Sequence, residues 1–126
     1  MGLIRAEIEL SNAIKASVRP IAVTALVDTV TPMLRIPERI AGQLELREIE
    51  KREVTAPDGK RRRVPHVGPI LICFENRKSL TGALVIGETV VLGSSQLLDI
   101  DVVIAQSGET IAVNPESPNI PSAIVK

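Results

Sequence analysis

Asp28 and Thr29 are the residues of this 126-residue chain best placed to do chemistry. They close the apolar run Ala25 Leu26 Val27, so a carboxylate and then a hydroxyl stand at the end of it. Such a pair can accept, donate or relay a proton. Ahead of it Ile21, Val23, Ala25 and Val27 alternate with Ala22, Thr24 and Leu26, which are scarcely more polar. This pattern predicts a strand buried on both faces. A charge is seldom buried without a partner, so the strand delivers Asp28 to a place where something compensates it. The plainer reading is that Asp28 opens a turn, with Thr29 and Pro32 as turn residues.

No other group competes strongly for a chemical role. His66 is the only histidine, and as a catalytic base it would need a nucleophile and an orienting acid; no such pattern accompanies it, so a structural or solvent role is expected. Cys73 is the only cysteine and can form no intrachain disulfide. The chain has no Gly-rich phosphate loop, metal-ligand cluster or triad pattern, and no cofactor or metal is expected. Lys60 Arg61 Arg62 Arg63 is either an anion contact or a solvated arm offset by Glu48, Glu50 and Glu53. With 15 basic and 15 acidic residues, the net charge gives no reason to expect nucleic acid or a membrane surface as partner.

The elements that must position these residues are short and mostly extended. Ile, Val, Leu and Ala supply the apolar content, with one Phe and no Trp or Tyr, a composition that favours strands. Ile4, Ala6, Ile8 and Leu10 alternate with Arg5, Glu7 and Glu9, which predicts a strand with one wet face, followed by a polar connection from Ser11 to Arg19. After the Asp28 loop, Met33 to Ile36 predicts a small strand. Pro37 to Leu44 predicts a short helix, with Pro37 as its first residue and Ile40, Ala41 and Leu44 on one side.

Leu46 to Ala56 is charged and exposed, and Pro57 Asp58 Gly59 is a turn signal joining it to a strand through Val64 to Val67. The result is a projecting hairpin. Gly68 Pro69 is expected to break the chain, Ile70 to Phe74 to form a buried strand, and Glu75 to Lys78 to turn. Strands are expected over Leu80 to Ile86 and Thr89 to Leu92. Ser94 is expected to cap a helical turn through Leu98. A hairpin then joins Ile100 to Ile104 with Thr110 to Val113. The Pro-rich segment 114–126 is expected to be an extended tail beyond a domain of residues 1–113. The start Met1 Gly2 Leu3 Ile4 Arg5 lacks the apolar block of a signal peptide and no run approaches a membrane span, so a cytoplasmic protein is expected.

The strand ending Leu26 Val27 Asp28 Thr29, the hairpin with its tip at Asp58 Gly59, and the later strand ending Val91 Leu92 Gly93 before a helical turn occur in an order that resembles the retropepsin-like aspartic proteases. The ending Val113 Asn114 Pro115 Glu116 Ser117 Pro118 Asn119 is also similar to that of small bacterial members. The resemblance spans roughly Ile4 to Pro115. It implies a mostly β fold: a closed acid-protease β-barrel with one or two short helices, assembled as a homodimer. It implies peptide-bond hydrolysis, with Asp28 and Thr29 as the catalytic motif, Val30, Asp58 and Gly59 at the substrate, and a peptide or protein as substrate. Only one Asp-Thr motif is present, so the dyad would take one Asp28 from each chain, with Thr29 bonding across the twofold axis. The family has Gly where this chain has Val30. A β-branched residue there resists the conformations and close approach that glycine permits, and bears harder on catalysis than on fold.

Two other classes remain in view. One is a non-catalytic dimeric binding module on the same scaffold, suggested by Val30. The other is an antitoxin-like or nucleic-acid-associated β protein using Lys60 to Arg63, which would show salt-dependent binding.

Overall fold

The alternation at the start of the chain becomes β1 (Arg5–Asn12), with Ala6, Ile8 and Leu10 buried and Arg5, Glu7 and Glu9 exposed. The computed structural model describes residues 3–125. β1 pairs antiparallel with β2 (Ile21–Val27), Ala6 opposite Ala25 and Ile8 opposite Val23. Ala25 is buried, but Ala22 and Thr24 face solvent, so the strand is not buried on both faces as expected. The outer face of this barrel wall carries no covering layer in the single chain. An all-apolar spelling therefore signals one inner face here, with Ala22, Thr24 and Leu26 on the outer one.

β3 (Arg35–Ile36) and α1 (Glu38–Gln43) follow the Asp28 loop. Pro37 occupies the N-cap in extended conformation, one residue before the first helical position expected for it. Ile40 and Leu44 are buried beneath the helix. β4 (Arg47–Thr55) and β5 (Arg61–Phe74) form the hairpin arm, and β5 continues into the body. Gly68 and Pro69 do not break the chain. They sit inside β5, where the pairing with β6 (Arg77–Val85) shifts register between Val67 and Ile70. A proline without an N–H is tolerated at such an irregularity.

β7 (Val91–Leu92), α2 (Ser94–Asp99), β8 (Val102–Ile104) and β9 (Ile111–Val113) complete the chain. The first of these strands lies parallel to β2 and antiparallel to β3. β3 lies parallel to β6, and β5 returns to pair with β1. Strands β1, β2, β7, β3, β6 and β5 therefore close a six-stranded β-barrel, with β4 outside on the arm. β8 and β9 form a separate two-stranded sheet.

Leu10, Leu34, Ile36, Leu44, Ile70, Ile72, Leu92 and Ile100 are fully buried and fill the interior with Phe74. Each such aliphatic side chain contributes about 1.5–3 kcal/mol of transfer free energy. The expected turn from Glu75 to Lys78 is shorter: Glu75 takes positive φ, and Arg77 already belongs to β6 with its side chain fully buried. The buried guanidinium donates through Nη2 to the carbonyl of Ser117 and lies 3.9 Å from Asp101. Asp101 in turn accepts from Asn114 Nδ2 at 3.0 Å, Ser117 Oγ at 2.5 Å and the Ser122 amide at 2.8 Å. Asn76 Nδ2 donates to the carbonyl of Pro118 at 2.9 Å. The Pro-rich tail has no apolar core of its own, yet it is strapped to the barrel by polar side chains.

Candidate active site

The Asp28 backbone N–H donates to the carbonyl of Leu92 at 2.9 Å, as Leu26 does to Val90, so the strand pairing reaches the carboxylate itself. Beyond it the chain turns. Asp28 Oδ1 accepts the amides of Val30 at 2.8 Å and Thr31 at 3.2 Å, while Oδ2 accepts Thr31 Oγ1 at 2.6 Å and Arg35 Nη2 at 2.8 Å. Both readings of Asp28 hold together: it organises a turn through its own side chain, and its charge is compensated. The Thr31 hydroxyl is the largest influence lowering its pKa below the ordinary carboxylate value, followed by the Val30 amide; burial opposes them, and the Thr31 amide and the Arg35 guanidinium add smaller lowering effects. In this chain Asp28 is an anion at neutral pH.

The loop is held from behind by the start of α2. A Cβ on Gly93 would lie 2.5 Å from the carbonyl carbon and oxygen of Pro32, so this position has no room for a side chain. Ser94 N–H donates to the Thr31 carbonyl at 2.8 Å and Ser95 N–H to that of Pro32 at 3.2 Å. Ser94 is the first helical residue rather than the cap expected of it. Gly93 holds the N-cap position, and buried Gln96 reaches back with Oε1 to accept its N–H at 2.9 Å. The amides at the helix start that a cap residue would satisfy are spent on the Asp28 loop instead.

Across from the loop stands the arm. Strand pairing sets Val54 opposite Arg62, Arg52 opposite Val64 and Glu50 opposite His66, so these six share one face. Thr55, Arg61, Glu53, Arg63, Lys51 and Pro65 share the other. Val64 is buried and Arg52 Nη1 lies 3.6 Å from Met33 Sδ, which identifies the first face as the one turned toward the loop. Between arm and loop lies a cleft of about 460 Å³, with Pro32, Met33, Val54, Leu84 and Ile86 among its apolar walls. Thr31 and Arg35 line it from the loop side, Arg52, Glu53 and Arg62 from the arm. Asp28 sits directly behind Thr31 and Arg35, bonded to both.

No protein-family model matches this chain, and no curated protein does either.

The loop brings Asp28, Thr29 and Val30 together at its crest, with Thr29 exposed and Val30 86% exposed. Asp58 and Gly59 form the tip of the arm, where Gly59 takes φ of 84° and Asp58 Oδ1 accepts the Lys60 amide at 2.9 Å. They do not line the cleft, although the adjoining turn residues Ala56 and Pro57 do. His66 is not in the exposed part of the arm as expected. It is at the root, its side chain 13% exposed, packed over Gly82 with Nδ1 3.5 Å from Glu50.

Glu48 pairs with Lys51, Glu50 with Arg52 and Glu53 with Arg61. Among the described residues Lys60, Arg62 and Arg63 form no ion pair, so the neighbouring glutamates offset only part of the basic run. Arg35 and Thr31 were not singled out by the sequence. The signal for Arg35 was available: it is the one charged residue in the apolar stretch Met33 to Ile36, between Leu34 and Ile36, both fully buried. Alternation turns it away from the core, onto the Asp28 side.

Proposed function

We propose that this chain is one protomer of a retropepsin-like aspartic peptidase, with Asp28 as half of an acid–base pair that a second copy completes. The observation that carries this reading is the placement of Asp28, at the end of a barrel strand, on a loop clamped by Gly93 and α2, beside a cleft roofed by a hairpin arm. Two carboxylates in contact cannot both ionise, so they share a proton; one activates water as base while the other polarises the scissile carbonyl. The exposed crest of the loop leaves Thr29 open to bond across the axis. A polypeptide segment lying between arm and loop would present its backbone to the pair.

The experiment is a cleavage assay on mixed peptides at acidic pH, with wild type and Asp28→Asn at several protein concentrations. Cleavage is expected in wild type, with specific activity rising as dimer forms, and a loss of at least a thousandfold in the variant. Equal activity in the two proteins would remove Asp28 from the mechanism.

A second reading is favoured by the four hydrogen bonds that occupy both oxygens of Asp28, and by Val30 in place of the motif glycine. On this reading the scaffold binds a partner in the cleft without cutting it. Val30→Gly separates the two: gained cleavage supports an impaired peptidase site, and unchanged binding without cleavage supports the module. No helix among the described residues is long and apolar enough to cross a membrane.

A further inference from the structure

We propose that the cleft beneath the arm selects polypeptide segments carrying an acidic side chain among apolar ones, and that Arg35 receives the acid, exchanging Asp28 for the ligand's carboxylate. The inference rests on reading the cleft as a peptide site and names the substrate class.

Arg35 stands between the cleft and Asp28. It lines the cavity, whereas Asp28 does not, and its side chain is one-third exposed. A guanidinium has five donors in a planar fork. Arg35 uses Nη2, toward Asp28 Oδ2 at 2.8 Å and Thr31 Oγ1 at 3.4 Å. Its Nε is buried and has no partner. A buried donor left unpaired is costly, and a carboxylate bound side-on to Nε and a neighbouring nitrogen is the ligand that satisfies it with the geometry the fork prefers.

The rest of the cleft agrees in charge and in polarity. On the arm face turned toward the loop, Arg52 and Arg62 are the cations, and Arg62 has no ion pair among the described residues. Glu50 on that face is already bound to Arg52 at 2.7 Å; Glu53 lines the cleft from the other face of the arm and lies 3.7 Å from Arg61, so three arginines, Arg35, Arg52 and Arg62, stand against one acid in the lining. An entering acid therefore meets a lining of net positive charge, while Pro32, Met33, Val54, Leu84 and Ile86 take aliphatic neighbours on either side. Exchange has a consequence at Asp28. It keeps the Thr31 hydroxyl and two amides but loses the guanidinium, so one of its oxygens becomes open to a proton shared with a second carboxylate. Recognition of the right segment then releases the acid–base group.

The test measures binding of three fluorescein-labelled hexapeptides, Val-Ile-X-Ala-Val-Leu with X as Glu, Gln or Lys, to the full chain by fluorescence anisotropy. Wild type is expected to bind the Glu peptide at least tenfold more tightly than the Gln peptide, and the Lys peptide most weakly. Arg35→Gln is expected to abolish the Glu preference. Asp28→Asn is expected to tighten the Glu peptide several-fold, because the competing carboxylate is gone. Equal affinity of wild type for Glu and Gln peptides overturns acid selection while leaving the peptide cleft standing; no binding of any of the three overturns both. A Glu preference that persists in folded Arg35→Gln overturns the assignment to Arg35. The wild-type comparison requires no variant, so a misfolded Arg35→Gln does not rescue the proposal.

Discussion

Asp28 and Asp101 are held by nearly the same set of groups, and they do opposite things. Each accepts a side-chain hydroxyl, Thr31 or Ser117, and at least one backbone amide; each lies near an arginine, Arg35 at 2.8 Å or Arg77 at 3.9 Å. Around Asp28 the donors come from the next seven residues, and the arginine faces a cleft. Around Asp101 they come from 13 to 21 residues away, and the arginine is fully buried. Local donors keep a carboxylate ionised on a loop directly behind a cleft. Distant donors turn the same chemistry into a strap that ties the tail to the barrel. The difference lies in where the donors sit along the chain and what the arginine faces, since the residue types match.

The largest effect should come from breaking the backbone clamp behind Asp28. Gly93→Ala forces a methyl against the Pro32 carbonyl, and overpacking of this kind costs about 2–3 kcal/mol, read as a lowered urea midpoint together with loss of peptide binding. Leu92→Ala, in the barrel wall beside it, should cost about 3 kcal/mol by the same measurement.

The strap should fail without the site. Asp101→Asn should speed proteolytic trimming of the tail about tenfold at neutral pH and leave Asp28-dependent activity in place; intact protection of the Ser122 amide in hydrogen exchange would contradict the strap.

Acid should act on the strap too. Asp101 is lowered from 3.8 to about 2, first by Ser117 and then by Asn114 and the Ser122 amide. A carboxylate with a depressed folded value stabilises the fold above its unfolded value and ceases to as pH falls through the folded one. Tail protection should therefore hold at pH 5 and fade between about pH 4 and 2. Asp28, lowered in the same direction, should lose its contribution below the ordinary carboxylate range. Smallest of all, Val30→Gly should change the melting temperature by the equivalent of less than about 1 kcal/mol, because the side chain is exposed and only backbone entropy is altered.

Much of the barrel was legible because alternation reports an inner and an outer face directly. β1 and the bounds of β2 follow from Ile4 to Leu10 and Ile21 to Val27, and the arm follows from Pro57 Asp58 Gly59. Asp28 was legible too, as a charge where an apolar run ends. Local rules failed where tertiary pairing overrode them. Gly68 and Pro69 look like a break but are absorbed into β5 by a register shift, and Arg77 looks like a turn residue and is the most deeply buried charge among the described residues. Arg35 and the tail contacts of Asp101 depend on residues meeting across the fold. Spacing along the chain does not encode the 2.8 Å ion pair of Arg35 with Asp28 or the attachment of Ser122 to Asp101.

Acid–base chemistry at Asp28 requires that two copies bring their Asp28 side chains together. A crystal structure of the assembled protein with the Glu hexapeptide bound, at mildly acidic pH, measures this as the distance between the two carboxyl groups across the symmetry axis. The expected result is one short hydrogen bond of about 2.5–3.0 Å between them, with Arg35 withdrawn from at least one. Carboxyl groups more than about 6 Å apart, each still bound to its own Arg35, would contradict it.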